Sequence, residues 1–234
     1  MTDADGPAQR TPPVIRGVDA LAADIGARLA RAPGRLLVGV AGSPGSGKST
    51  VAAQLLERFG GVAALVPMDG FHLASEQLEA LGRLDRKGAP DTFDAHGFVA
   101  LLERCRMAGG GRGAASGEGS GEGSRVTVYA PRFVREIEES FGSAIAVPPS
   151  ARLVLTEGNY LLIDAPPWSA LDRVLDVRYH LAVDDDVRRE RLVARHVAFG
   201  KTSAAARAWA SGPDEANATL IEAASARADA IVRL

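Results

Sequence analysis

The sequence predicts an α/β fold in which short buried parallel strands alternate with helices around a phosphate-binding loop. Three observations predict it. The stretch Gly42-Ser43-Pro44-Gly45-Ser46-Gly47-Lys48-Ser49-Thr50 fits the pattern G-x-x-x-x-G-K-[ST]. An apolar run, Leu36-Leu37-Val38-Gly39-Val40-Ala41, leads into it and reads as a buried parallel strand. Val51 to Arg58 follows, with Val51, Leu55 and Leu56 on one helical face, and Gly60-Gly61 closes that helix. A chance glycine-rich turn would not carry both flanks.

The residue types in the loop suit a triphosphate. Glycines at 42, 45 and 47 let successive N–H groups turn inward toward phosphate oxygens. The helix starting near Gly47 points its positive dipole end at the same anion. Lys48 is placed to reach the β- and γ-phosphates, and the Ser49 hydroxyl to take a Mg²⁺ position. Ser43, Ser46 and Thr50 complete the nucleotide-binding run.

Composition bounds the rest. At 234 residues, 46% hydrophobic and 24% charged, the chain is an ordinary globular protein, read here as one domain over residues 16–234. A net charge of −2 argues against a nucleic-acid surface or a basic membrane patch. The single cysteine, Cys105, excludes an internal disulfide and fits a reducing cytosol. No apolar run approaches the roughly 20 residues of a membrane span. The polar, acidic start is not that of a signal peptide, and residues 1–15 are expected to be disordered. These features predict a cytoplasmic protein. A homodimer is left open.

In chain order, Val18, Leu21, Ile25 and Leu29 share a face of a helix that Pro33-Gly34 stops. Val62 to Met68 reads as a second strand ending in Asp69-Gly70-Phe71-His72. A carboxylate at the C-terminal tip of a parallel strand sits where open α/β sheets bind ligands, so Asp69 is a catalytic candidate, against a cap or turn residue. His72 reads equally as a structural histidine or a substrate contact. Ser75 to Leu84 is expected as a short helix with a capping serine, followed by a charged, turn-rich segment over residues 86–94. Asp94 or Ala95 opens a helix that buries Phe98, Leu101, Leu102 and Cys105, which makes Cys105 core rather than nucleophile.

Residues 109–124 are glycine, serine and glutamate with one arginine, a flexible linker by composition. Alternation at Val126, Val128 and Ala130 predicts a strand in a small insertion over the active site. Arg152 to Thr156 is the next buried strand, and Glu157 at its tip is placed to hold Mg²⁺ through water, against a cap or surface ion pair. Val177 to Val183 is another strand. Asp184-Asp185-Asp186 reads as an acidic helix start rather than a metal cluster. In that helix Arg188, Arg191 and Arg195 recur on one face, either a solvated basic face or a lid that closes over the transferring phosphate. Gly200 and Gly212 bracket its tip, a helix is expected from Pro213 to Arg227, and residues 228–234 as the last strand.

With Met68-Asp69-Gly70-Phe71, the run Lys87-Gly88-Ala89-Pro90-Asp91-Thr92-Phe93-Asp94, Thr156-Glu157-Gly158-Asn159-Tyr160 and Arg191 to Arg195, the chain resembles the phosphoribulokinase/uridine kinase/bacterial pantothenate kinase family. Within it the chain is similar to the nucleoside/nucleotide kinase branch, which includes proteins designated fructose-transport-system kinases. The resemblance covers residues 36–234. It implies a P-loop NTPase fold with a five-stranded parallel sheet, the loop strand central, and a mobile arginine lid. It implies Asp69 as catalytic aspartate, Glu157 as second acidic residue and Arg195 as lid arginine, with Arg191 beside the nucleotide.

Departures bear on the acceptor. Where uridine kinases carry the aspartate that reads the ribose diol, this chain has Gly88. The K-G-x-P segment at Lys87 is closer to pantothenate kinase, but the histidine of that pocket falls at Arg135. Phe133 and Arg135, with His72 and Lys87, then form the acceptor wall. The expectation is a kinase moving the γ-phosphoryl of ATP·Mg²⁺ to a hydroxyl of a nucleoside, sugar or pantothenate-like metabolite. The rival is an ATPase or nucleotide switch with no small-molecule acceptor.

Overall fold

The computed structural model describes residues 11–109 and 126–234. The expected linker at 109–124, beyond Gly109 itself, and the first ten residues of the expected disordered N-terminus lie outside the described residues.

The strands of the main sheet are β1 (Val14–Arg16), β2 (Leu36–Ala41) and β3 (Ala63–Pro67), then β6 (Leu153–Gly158), β7 (Val177–Ala182) and β8 (Ala230–Arg233); between them β4 (Val128–Val134) and β5 (Glu139–Val147) form a separate hairpin. The helices are α1 (Gly17–Arg31), α2 (Lys48–Phe59), α3 (Ser75–Ala80), α4 (Ala95–Ala108), α5 (Leu171–Val174), α6 (Asp185–Ala198), α7 (Ser203–Ser211) and α8 (Pro213–Ala223). The main sheet runs β1-β8-β7-β2-β6-β3, and every pairing in it is parallel.

The expectation of five strands is corrected to six. The added strand is β1, whose Val14 and Ile15 fall in the segment expected to be disordered. Their backbone runs alongside Ile231 and Val232 of β8 and forms the edge of the sheet. Three residues at an edge carry no periodicity that a sequence reading can use.

Every residue of β2 is buried, and the period-two pleat divides its side chains between two cores. Leu37 and Ala41 join the cluster around Phe98, Leu102 and Cys105 of α4. Leu36, Val38 and Val40 join Leu21 and Ile25 of α1 and Val51 and Leu55 of α2 on the other face. A leucine buried this way contributes about 1.5–3 kcal/mol, so both faces must be covered for the central strand to stay in register. Cys105 is core as expected, and burial pushes its thiol up to about 11, which leaves it unreactive.

Two local expectations change. Ser75 begins α3 and is not its cap: Ala74 holds that position without a side-chain bond, and the Ser75 N–H donates to Glu139 Oε1 at 2.9 Å. The insertion strand is β4, and its partner β5 was not anticipated, since its residues are mostly exposed. Among the described residues no helix is long and apolar enough to cross a membrane.

Candidate active site

The glycine loop connects β2 to α2 at the C-terminal edge of the sheet, and β3 and β6 end beside it. Gly45 sits at φ 82°, and a Cβ there would lie 2.6 Å from the Arg188 carbonyl oxygen, so the turn admits only glycine at this position. Ser46 Oγ is buried with no hydrogen-bond partner among the described residues. Lys48 is buried at the first position of α2, and burial lowers its pKa against the pull of Glu157 and Asp69. A buried ammonium and an unpaired hydroxyl in a backbone cradle are costly unless something anionic completes them. The loop therefore fits a polyphosphate. The Ser43 hydroxyl faces elsewhere, donating to Glu222 Oε1 at 2.7 Å.

Ser49 Oγ donates to Glu157 Oε1 at 3.2 Å. The other carboxylate oxygen, Oε2, is buried without a partner among the described residues. Burial, reinforced by neighbouring Asp69, pushes Glu157 up to about 7. A hydroxyl and a half-used carboxylate are hard oxygen donors of the kind Mg²⁺ takes alongside phosphates and water. The described residues contain no group of three or more His, Cys, Asp or Glu able to hold a metal ion, so a cation here would share its shell with the nucleotide.

Asp69 stands on a single 3₁₀ turn, Met68–Phe71, that leaves β3. The turn lies hard against the hairpin: a Cβ at Gly70 would collide with the Pro131 carbonyl. Arg135 reaches back from the hairpin to bond Asp69 Oδ2 through Nη2 at 2.7 Å. Burial works to raise the Asp69 pKa, but Arg135, His72, Lys48 and Arg195 outweigh it and hold the carboxyl below its usual range. Asp69 is thus an ionised carboxylate kept close to the loop lysine.

His72, Lys87, Phe133 and Arg135 line a cavity of about 340 Å³ together with Lys48, Ser49, Asp69 and Arg195. His72 stacks between Phe93, 4.0 Å between ring centroids, and Phe133, 4.7 Å. Burial drops its pKa to about 4, so the ring is neutral, and its Nδ1 has no partner among the described residues. Lys87 and Arg135 lie 5.6 and 5.8 Å from the Phe133 centroid, within cation–π range. Lys87 also donates to Ser75 Oγ at 3.0 Å and to the Glu138 carbonyl, with Glu139 at 3.9 Å. Two of its three donors are taken, which makes it a clamp on the hairpin tip.

The arginine helix α6 divides its residues unlike the single face expected. Arg188 is 1% exposed and bound to Glu215 at 2.7 Å and Asp185 at 3.1 Å, so it is a structural anchor and not a lid arginine. Arg191 Nη1 approaches the Ser46 carbonyl at 3.5 Å. Arg195 faces the cavity, and burial lowers its pKa, helped by Arg135. Residues that sequence reasoning missed include Asn159, His196, Asp214 and Asn217 on the cavity wall. His196 Nε2 meets Asp214 Oδ2 at 2.8 Å. Asn159 belongs to the run Thr156 to Tyr160, but no local motif marks the other three; only the fold brings α6 and α8 to the same cavity.

A parallel sheet with this loop, a strand-tip aspartate and an arginine helix beside the loop defines a P-loop kinase. No family model matches the chain, but relatives do. It is 35% identical over 178 residues, 71% of its length, to "Putative uridine kinase C227.14" of Schizosaccharomyces pombe, 68% of which is covered. A crystal structure described as a "putative fructose transport system kinase" from Silicibacter sp. TM1040 is 40% identical, with TM-score 0.77 over 93% of this chain and 98% of that one. YFH7 of Saccharomyces cerevisiae, 20% identical, shares the fold at TM-score 0.73 over 93% of this chain and 98% of its own. The chain belongs to the phosphoribulokinase/uridine kinase/bacterial pantothenate kinase family of P-loop kinases.

Proposed function

We propose that this P-loop kinase transfers the γ-phosphoryl of ATP to a hydroxyl of a small metabolite. The observation that carries the reading is Asp69: an ionised carboxylate that opens into the same cavity as Lys48, Ser49 and Arg195. Asp69 takes the proton of the acceptor hydroxyl as its oxygen bonds to phosphorus and the bond to the β–γ bridging oxygen breaks, releasing ADP. Lys48, the loop amides and Arg195, with Arg191 behind it, meet the charge on the phosphoryl oxygens. Ser49 and Glu157 would hold Mg²⁺, which when bound supplies further neutralisation of those oxygens. His72, Phe133 and Arg135 orient the acceptor, and Arg135 must share its hydrogen bonds between Asp69 and that ligand.

The protein's activity is tested by incubation with ATP·Mg²⁺ and a panel of nucleosides, sugars and pantothenate, read by mass spectrometry for one added phosphate. Transfer to at least one acceptor, faster than hydrolysis without acceptor, is the expected result. Hydrolysis indifferent to every hydroxyl compound would favour the ATPase or switch instead. The name of the Schizosaccharomyces pombe relative puts uridine on the panel, while Gly88, in place of an aspartate that reads a ribose diol, speaks for the sugars and acids beside it.

A further inference from the structure

α8 carries none of the residues given a chemical role above, yet its polar side chains hold three separate binding elements. In its first turn Asp214 bonds His196 at 2.8 Å, and Glu215 accepts from Arg188 at 2.7 Å and Arg189 at 3.0 Å, which fixes the arginine helix α6. In its middle, Asn217 Nδ2 donates to the Gly88 carbonyl at 3.4 Å, in the acceptor loop. In its last turn Glu222 accepts the Ser43 hydroxyl of the phosphate loop at 2.7 Å and meets the buried ring of His180 at 3.1 Å. At about 1.5 Å per residue the helix is roughly 16 Å long, and Ala218 and Ile221 seat it in the core. A short packed helix moves as one body, so a shift imposed at one end reaches the other.

We propose that Glu222 is a positioning residue that ties the phosphate loop to α8, so that filling the loop with nucleotide orders the loop around Gly88, residues 87–92. The proposal rests on the reading of residues 42–50 as a nucleotide site. Ser43 and His180 are each 1% exposed, so the Glu222 carboxylate bridges two groups that have little access to water. Severing that bridge frees the phosphate loop from α8 without touching the loop backbone.

The test is amide hydrogen exchange of the full chain with and without ADP·Mg²⁺. In the wild type, ADP should slow exchange at least about tenfold in the phosphate loop, and also in residues 87–92 and in α6. In Glu222→Ala the phosphate loop should keep its protection, and so should α6, which touches the loop directly through Gly45 and Arg191, while residues 87–92 lose theirs. Glu222→Gln, which retains an oxygen acceptor for Ser43, should restore part of it. Ser43→Ala cuts the same link from the other side and covers the case in which the Glu222 variant fails to fold. Protection of residues 87–92 that is absent in the wild type, or unchanged in both Glu222→Ala and Ser43→Ala, overturns the proposal. No protection in the wild-type phosphate loop overturns the nucleotide site itself, and the proposal with it.

Discussion

On the side proposed for the nucleotide the candidate groups come from one contiguous run, residues 42–50, in which the backbone forms the cradle. On the side proposed for the acceptor, Asp69, His72, Phe133 and Arg135 are assembled by long-range side-chain bonds: Arg135 to Asp69 across 66 residues, Glu139 to Ser75 across 64, Lys87 to Glu138 across 51. A backbone cradle resists single substitutions outside its glycines. A wall built of ion pairs can be rebuilt by changing one partner.

The largest effect is expected on the nucleotide side. Lys48→Ala removes the buried cation from the phosphates and should lower kcat by at least about 10³-fold, at the upper end of the loss for one electrostatic donor. A near-native rate would break the comparison at its root. Asp69→Asn comes next and separates the two sides. Acceptor phosphorylation should fall at least about 10²-fold, while ADP·Mg²⁺ affinity by titration calorimetry changes by less than about tenfold, or ~1.4 kcal/mol. Equal losses in both would make Asp69 a metal ligand of the nucleotide side.

His72 offers a pH test of the acceptor side alone. Its folded pKa of about 4 lies below the ordinary 6.5 because burial disfavours the imidazolium. The unfolded chain therefore takes the proton first, and stability is lost as pH falls from about 6.5 toward 4. Integrated to pH 5 the loss is about 2 kcal/mol. His72→Phe, which keeps a stacked ring, should show a smaller drop in Tm between pH 7 and pH 5 than the wild type. An identical drop would mean that the ring is not held neutral. The smallest effect is expected for Lys87→Met, since Lys87 and Glu139 stand 3.9 Å apart and the methionine keeps most of the side-chain stem. It should cost no more than about 1 kcal/mol of stability, and raise the acceptor KM with little change in that for ATP.

The same contrast explains what could be read in advance. The phosphate loop, Asp69 and Glu157 were legible because each follows an apolar strand directly, and the sheet edge then dictates where they go. Phe133 and Arg135 came only through family resemblance, and both prove to line the cavity. Arg188 misled because helical spacing gives a face but not a neighbour. Its neighbour, Glu215, belongs to α8 and drops to about 2 beneath Arg189 and Arg188. Strand β5 was hidden because four successive residues, Phe141 to Ala144, are exposed, so no alternation survives in them. Glu222 was illegible for the plainest reason: its two partners, Ser43 and His180, lie 179 and 42 residues away.

The central strand has a consequence for how the chain acquires its shape. β2 pairs on one side with β6 and on the other with β7, and both are encoded more than a hundred residues downstream, beyond position 150. Loop closure on that scale precedes any reward from pairing. During synthesis the wholly apolar β2 therefore leaves the ribosome early, with two open edges and neither neighbour yet made. Until β7 has emerged, it is a sticky segment in search of a strand. Production of this protein should accordingly be sensitive to temperature and to chaperone supply, even where the finished fold is secure.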